Sequence, residues 1–236
     1  MKYSKENENS FAIGMFATME LLNNKPQNVI EIYYHKNIKQ TEDVVKLFNI
    51  CKQKNIKITE KTKFIETLSK KENVFIVAEF KKYESVIDNS NHLVLVNPSD
   101  MGNLGTILRT ALGNDFLNIA IIKPCVDIFN PKVVRASMGA IFSLNVQLFD
   151  SFEDYKNAFK DNNLYAFCLG GNKYLQQIES FKTPYSLIFG NEATGLPQNI
   201  CDMCEKVMIR QSSKVDSFNL AISVGVALYH AGLKNN

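Results

Sequence analysis

"VNPSDMGNLGTILRTALGNDF" spans Val96 to Phe116. It opens on the end of an apolar run, passes through a cluster of Pro, Ser, Asp, Gly and Asn, and then takes on helical spacing. A strand, a turn of small and polar residues and a helix make the repeating unit of parallel α/β sheets. The stretch also carries an oddity of composition. Arg109 is one of three arginines in a chain with 24 lysines. Why a lysine-rich chain keeps an arginine here is a question that composition alone leaves open.

The same alternation continues downstream. "HLVLVNP" (92–98) reads as the strand before the quoted helix "LGTILRTALGN". Strand "NIAIIK" leads to helix "PKVVRASMGAI", strand "NVQLF" to helix "SFEDYKNAFKDN", and strand "LYAFCLGG" follows. "YSLIFGNEATGL", "KVMIRQ" and a final helix from about Ser217 to Leu233 close the chain. This order predicts a parallel sheet with helices on both faces, and ligands in such sheets bind beyond the strand C-termini. The final helix, "SFNLAISVGVALYHAGL", has scarcely a polar face after Asn219. It calls for burial on every side, either within the core or with one face against a second copy of the chain.

Upstream, residues 1–10 read as a disordered tail. A small α/β domain is expected over 11–80, with a helix over Phe11–Asn24, strand "NVIEIYYH", helix "TEDVVKLFNICKQKN" capped by Thr41, strand "IKIT", helix "KFIETLSKK" and strand "NVFIVAEF". "KKYESVIDNSNH" supplies a linker over 81–91, and 92–236 form the second domain.

Composition sets bounds on function. The chain has 236 residues, 45% hydrophobic and 22% charged, as in ordinary globular proteins. It shows no membrane-length apolar run and no signal-peptide pattern, so a cytoplasmic location is expected. The net charge of +3 lies in residues 1–90, where every basic residue is a lysine; this excess suits loose phosphate contact and equally a solvated surface. Cys51, Cys125, Cys168, Cys201 and Cys204 are expected as free thiols. The lone C-x-x-C of Cys201 and Cys204 lacks the second pair or nearby histidines that a zinc site requires, so no metal is expected.

Three stretches share one character, a strand end followed by small and polar residues and then an apolar run: "PSDMGNLGTILR" (98–109), "FGNEATGL" (189–196) and "IRQSSKVDSFNLA" (209–221). Small residues let backbone approach a ligand, and polar side chains beside a core need partners or a task. These stretches resemble the three motifs of the SpoU (TrmH-like) branch of the SPOUT superfamily, RNA ribose 2′-O-methyltransferases. Asn103 and Arg109 match the first. Gly190, Asn191, Glu192 and Gly195 match the second. Ser217, Phe218 and Asn219 stand where the third has Ser-Leu-Asn. "FNPKVVRASMGAIFSLNV" (129–146) is similar to the segment the family carries between motifs. Residues 11–80 resemble, more weakly, a ribosomal-protein-like RNA-binding domain. Arg210 stands where the family usually has Pro, and Ala193 where Gly is common, which leaves the subfamily and its RNA open.

The resemblance implies a C-terminal trefoil knot, S-adenosylmethionine as methyl donor, and a homodimer packed through the last helix. It implies donor contacts at Leu169, Gly170, Gly190, Asn191, Gly195, Ile209 and Phe218, and catalytic roles for Asn103, Arg109, Glu192, Ser217 and Asn219. Arg109 would grip the phosphate next to the target ribose, and Arg135 is a further RNA-contact candidate. Either Arg109 or Glu192 would be the general base, although a guanidinium seldom gives up its proton. Ribosomal RNA is the first expectation for substrate and transfer RNA the second. A non-catalytic RNA-binding protein of the same fold is the alternative, and the intact polar set argues against it. A dehydrogenase is disfavoured: "DMGNLGTIL" lacks G-x-G-x-x-G spacing and no acidic residue ends "NIAIIK".

Overall fold

The computed structural model describes residues 3–69, 73–171 and 173–234. The chain divides into two compact units, one of Met1–Tyr83 with Asp127–Ser143, the other of Glu84–Val126 with Leu144–Asn236. The sequence reading kept 92–236 together; the structure groups 127–143 with the first unit instead. The reason is local packing. Helix α5 (Pro131–Ala136) packs on strand β1 (Asn9–Ile13), and Phe129 and Phe142 meet Phe80 edge-on at 5.8 and 5.1 Å.

The first unit holds a four-stranded sheet in the order β1-β4-β2-β3, where β2 is Val29–Tyr34, β3 Ile58–Glu60 and β4 Ile76–Lys81. Helices α1 (Met15–Asn24), α2 (Glu42–Gln53) and α3 (Thr62–Ser69) accompany it. Thr41 caps α2 as expected, accepting a hydrogen bond from the Val44 amide. The helix expected from Phe11 begins only at Met15. Phe11, Ala12 and Ile13 pair with Glu79, Ala78 and Val77 of β4, so sheet pairing overrides their helical spacing. Gly14, at φ 96, turns the chain between strand and helix. Nor are residues 3–10 a loose tail: Asn9 and Ser10 belong to β1, and the Tyr3 hydroxyl donates to Asp127 while its ring lies under Lys82. The last residues of the helix expected through Lys71, and the first two of the tail, lie outside the described residues.

The second unit is the parallel α/β half. Its strands are β5 (His92–Val96), β6 (Asn118–Ile122), β7 (Asn145–Phe149), β8 (Asn163–Phe167), β9 (Lys173–Tyr174), β10 (Tyr185–Phe189) and β11 (Glu205–Met208). They form one sheet in the order β7-β6-β5-β10-β8-β11-β9, parallel throughout. Val94, Val96, Ala120 and Ile122 pack on one face against Phe152 and Tyr155 of α6 (Phe152–Ala158) and Ile200 of α7 (Gln198–Asp202). The alternating residues Leu93, Leu95, Ile119 and Ile121 are equally buried, as a sheet covered on both faces requires. Helix α4 (Met101–Gly113) packs on α8 (Leu220–Lys234), and α8 on β10.

Helix α8 is not enclosed on all sides. Val224, Ala227, Leu228 and Ala231 are buried, while Ile222, Val226, Tyr229 and Leu233 are 41–63% exposed. The exposed four recur at helical spacing and form one apolar stripe. Among the described residues no helix is long and apolar enough to cross a membrane. Because all seven strands run the same way, the loops after β5, β8, β10 and β11 emerge at one edge of the sheet.

Candidate active site

The loop after β10 is built around two glycines. A Cβ on Gly190 would overlap the backbone of Gly195 and Leu196, so only glycine fits there. Gly195 adopts φ +69 and returns the chain. Asn191 and Gly195 exchange backbone hydrogen bonds of 3.2 and 2.9 Å, and the Asn191 side-chain oxygen accepts from the Ala193 and Thr194 amides at 2.9 and 3.2 Å. The same side chain reaches the loop after β5. Its Nδ2 donates to the Asn97 carbonyl at 2.7 Å and to Ser99 Oγ at 3.1 Å.

Glu192 completes that clamp. Its carboxylate accepts from the Ser99 amide (3.1 Å), the Ser99 hydroxyl (2.8 Å), the Asp100 amide (3.2 Å) and Asn103 Nδ2 (3.4 Å). Burial works against its charge, but backbone amides and the Ser99 hydroxyl outweigh burial and hold the carboxyl below the usual range. Asp100 caps α4, accepting from the Asn103 amide at 2.7 Å. Asn103 Oδ1 in turn accepts from Asn219 Nδ2 at 3.0 Å. Asn219 also caps α8, its Oδ1 accepting from the Ala221 amide at 2.9 Å. The three stretches are thus joined by one chain of side chains, Asn219 to Asn103 to Glu192.

Beside this chain lies a cavity of about 460 Å³. Leu169 and Gly170 border it from the loop after β8. Gly190, Asn191, Glu192 and Gly195 border it from the loop after β10, and Ile209, Ser217 and Phe218 from the loop after β11. All the expected donor-contact residues therefore line one cavity. Asn103 and Asn219 lie outside the lining and touch it through Glu192. Ser217 is exposed, and Asn219 is the residue that caps α8, which starts at Leu220. Arg109 stands apart. It is exposed on α4, six residues beyond Asn103, with no hydrogen bond or ion pair among the described residues. Arg135 is half-buried on α5, in the other compact unit.

Sequence reasoning missed Ser99 and Asp100, although Asp100 is an ordinary N-cap signal three residues before Asn103. It also missed that Cys168, Cys201, Phe167 and Phe189 line the cavity. Desolvation pushes the Cys168 thiol up to about 11 and the Cys204 thiol up to about 12. Cys51, Cys168, Cys201 and Cys204 are free thiols, and no cluster of His, Cys, Asp and Glu among the described residues could hold a metal ion.

The model of the SpoU rRNA Methylase family matches residues 90–229. An uncharacterized tRNA/rRNA methyltransferase of Synechocystis sp. is 37% identical over 142 residues, which are 59% of this chain and 52% of that protein. The 23S rRNA (adenosine(1067)-2′-O)-methyltransferase of Streptomyces laurentii is 26% identical over 139 residues, 57% of this chain and 51% of that one. The matches thus span about half the length of these two relatives. An AdoMet-bound rRNA methyltransferase from Sinorhizobium meliloti shares the fold, with a TM-score of 0.81, 24% identity, and coverage of 95% of this chain and 87% of that one.

Proposed function

The chain belongs to the SpoU rRNA Methylase family, and from that premise we propose that it transfers a methyl group from S-adenosylmethionine to a ribose 2′-hydroxyl of RNA. The observation that carries this reading is the Asn219–Asn103–Glu192 chain, which ties all three motif loops to one cavity. The cavity suits the donor. Its volume is that of a small-molecule site, and the close approach at Gly190 leaves backbone free to meet a ligand. When bound, the donor supplies an electrophilic methyl on a sulfonium sulfur.

The protein's own residues position the reaction. Gly190, Ile209 and Phe218 would hold the donor, with Leu169 and Gly170 beside them. Arg109, exposed and unpaired among the described residues, is free to grip a phosphate of the RNA with two hydrogen bonds. Glu192 is a poor general base in this arrangement, because five donors, Asn191 Nδ2 among them, occupy its oxygens and its proton affinity is depressed. Its work is to fix the start of α4, and with it Asn103 and Arg109.

The remaining readings extend the same account. The 209–219 segment and α8 would form the trefoil knot, consistent with a donor cavity framed by the loops after β8, β10 and β11. The exposed stripe of Ile222, Val226, Tyr229 and Leu233 would seat a second copy of the chain. The first unit, lysine-rich and carrying Arg135, would contact RNA. Ribosomal RNA is favoured as substrate. Transfer RNA is the second reading, in keeping with the Synechocystis relative's name of uncharacterized tRNA/rRNA methyltransferase. The test is methylation of total RNA from cells lacking the protein. Purified chain with S-adenosylmethionine should add 2′-O-methyl groups at discrete sites, and Arg109→Ala should not, while still binding the donor.

A further inference from the structure

The loop after β11 carries an arginine that neither the fold nor the cavity wall uses. Ile209 and Gln211 line the cavity, as do Ser217 and Phe218 at the far end of the loop. Arg210, between the first two, is not part of the lining. It is exposed, with no side-chain hydrogen bond or ion pair among the described residues. The loop itself is tied. Gln211 Nε2 donates to the Asp216 carbonyl at 2.9 Å, and the Lys214 amide donates to the Ser212 hydroxyl at 3.2 Å. These contacts fold 211–216 back on itself and keep Arg210 on the rim, one residue from the wall on either side. Lys214 is exposed in the same loop, whose single acid is Asp216. The acids before the loop, Asp202 and Glu205, are paired with Lys206 and Lys173. An unpaired surface guanidinium adds nothing to stability, and elsewhere this chain uses lysine, 24 times against three arginines.

We infer that Arg210 is a further RNA-binding residue, which grips a backbone phosphate of the substrate at the rim of the cavity. This rests on the reading that the cavity holds the methyl donor and that RNA docks over it. A ribose hangs between two phosphates. A grip on one of them leaves the sugar free to swing about that contact, and a second grip fixes the 2′-hydroxyl against the methyl group. A guanidinium suits the task because it binds two phosphate oxygens at once. Arg109, on the helix after β5, supplies one grip, and Arg210, on the loop after β11, supplies the other. The Pro that the family usually carries at this place offers no such contact, so the second grip belongs to this chain. The donor's carboxylate is the other anion within the reach of a cation on this rim. The two assignments differ in what they predict for donor affinity.

Steady-state methylation and filter binding of total RNA from cells lacking the protein, with calorimetric titration of S-adenosylmethionine, separate them. Arg210→Gln in the full chain should lower kcat/KM for RNA by about ten-fold, the scale of one lost charge-assisted contact. Its melting temperature and its donor affinity should match those of the unaltered chain. The slope of log binding constant against log salt should become shallower by about 0.7, the share of one phosphate on a single strand. Arg210→Lys, which keeps the charge and loses the fork, should keep the salt slope and recover only part of kcat/KM. Unchanged kcat/KM in Arg210→Gln overturns the assignment, and so does an unchanged salt slope. So does a loss of donor affinity, which would place the guanidinium against the donor's carboxylate. If the unaltered chain methylates no RNA, the functional reading itself fails and this inference with it; the failures above, with methylation by the unaltered chain intact, strike this inference alone.

Discussion

The two ends of the parallel sheet carry polar networks of opposite character. At the strand C-termini, Glu192, Asn103 and Asn219 are linked across three loops and stand partly open to solvent. At the strand N-termini, His92, Tyr155, Ser186 and Asn162 form a network sealed from solvent. His92 Nε2 lies 2.6 Å from the Asp88 carbonyl and must donate to it, so Nδ1 accepts from the Tyr155 hydroxyl at 2.8 Å. Tyr155 then accepts from Ser186 (2.6 Å), which accepts from Asn162 (3.1 Å). Every member is satisfied with the imidazole neutral. The closed network holds the fold together. The open one keeps backbone and an arginine available for a ligand. Polar residues beside a core are not in themselves evidence of a site; a border on a cavity distinguishes the two.

The sharpest way to break this contrast is to alter each end and read both stability and methylation. Arg109→Ala should lower RNA methylation about 100-fold or more, as loss of substrate positioning does, with donor affinity and melting temperature unchanged. Gly190→Ala should abolish donor binding, because its Cβ must displace the 195–196 backbone, and should destabilise by about 1–3 kcal/mol in chemical denaturation. Tyr155→Phe should do the reverse. It should cost about 1–3 kcal/mol by leaving buried partners unpaired, and leave donor affinity intact. A Tyr155→Phe protein that keeps full stability but loses donor binding would erase the distinction.

Acid should separate the two ends further. Burial lowers the His92 pKa below its ordinary 6.5, against the pull of the Asp88 carbonyl and carboxylate. The unfolded chain therefore takes up a proton near pH 6.5 that the folded chain refuses. Stability contributed by this group is complete above 6.5 and falls as pH drops below it. The lowered Glu192 carboxyl adds its own loss only at lower pH, below the ordinary 4.5. Denaturation curves from pH 8 to 5 should show a decline that His92→Gln flattens. The smallest effect concerns the thiols. Cys168 and Cys204 stay protonated at neutral pH, so their alkylation, followed by mass spectrometry, should be far slower than that of a free thiol and should accelerate as pH rises.

Much of this was legible in the residues, for identifiable reasons. The strands and helices of the second unit follow from apolar spacing and small-residue turns, and the parallel sheet from their alternation. The convergence of Asn103, Glu192 and Asn219 came from the resemblance, since no spacing rule joins residues so far apart. Phe11–Ile13 were misread because helical and extended readings of a short apolar run are equivalent until a partner strand decides. The two-residue β9 and the five-residue α7 are too short to leave a period. The Phe167–Phe189 stack depends on register between strands that are not consecutive in the chain, which only coordinates reveal.

The central claim is that the three motif loops build a single donor site. A crystal structure of the chain grown with S-adenosylmethionine tests it most directly. The account predicts donor density in the cavity bordered by Gly190, Ile209 and Phe218, with its methyl group toward the Asn103–Glu192–Asn219 chain. Donor density elsewhere on the molecule, or an empty cavity at saturating donor, would contradict it.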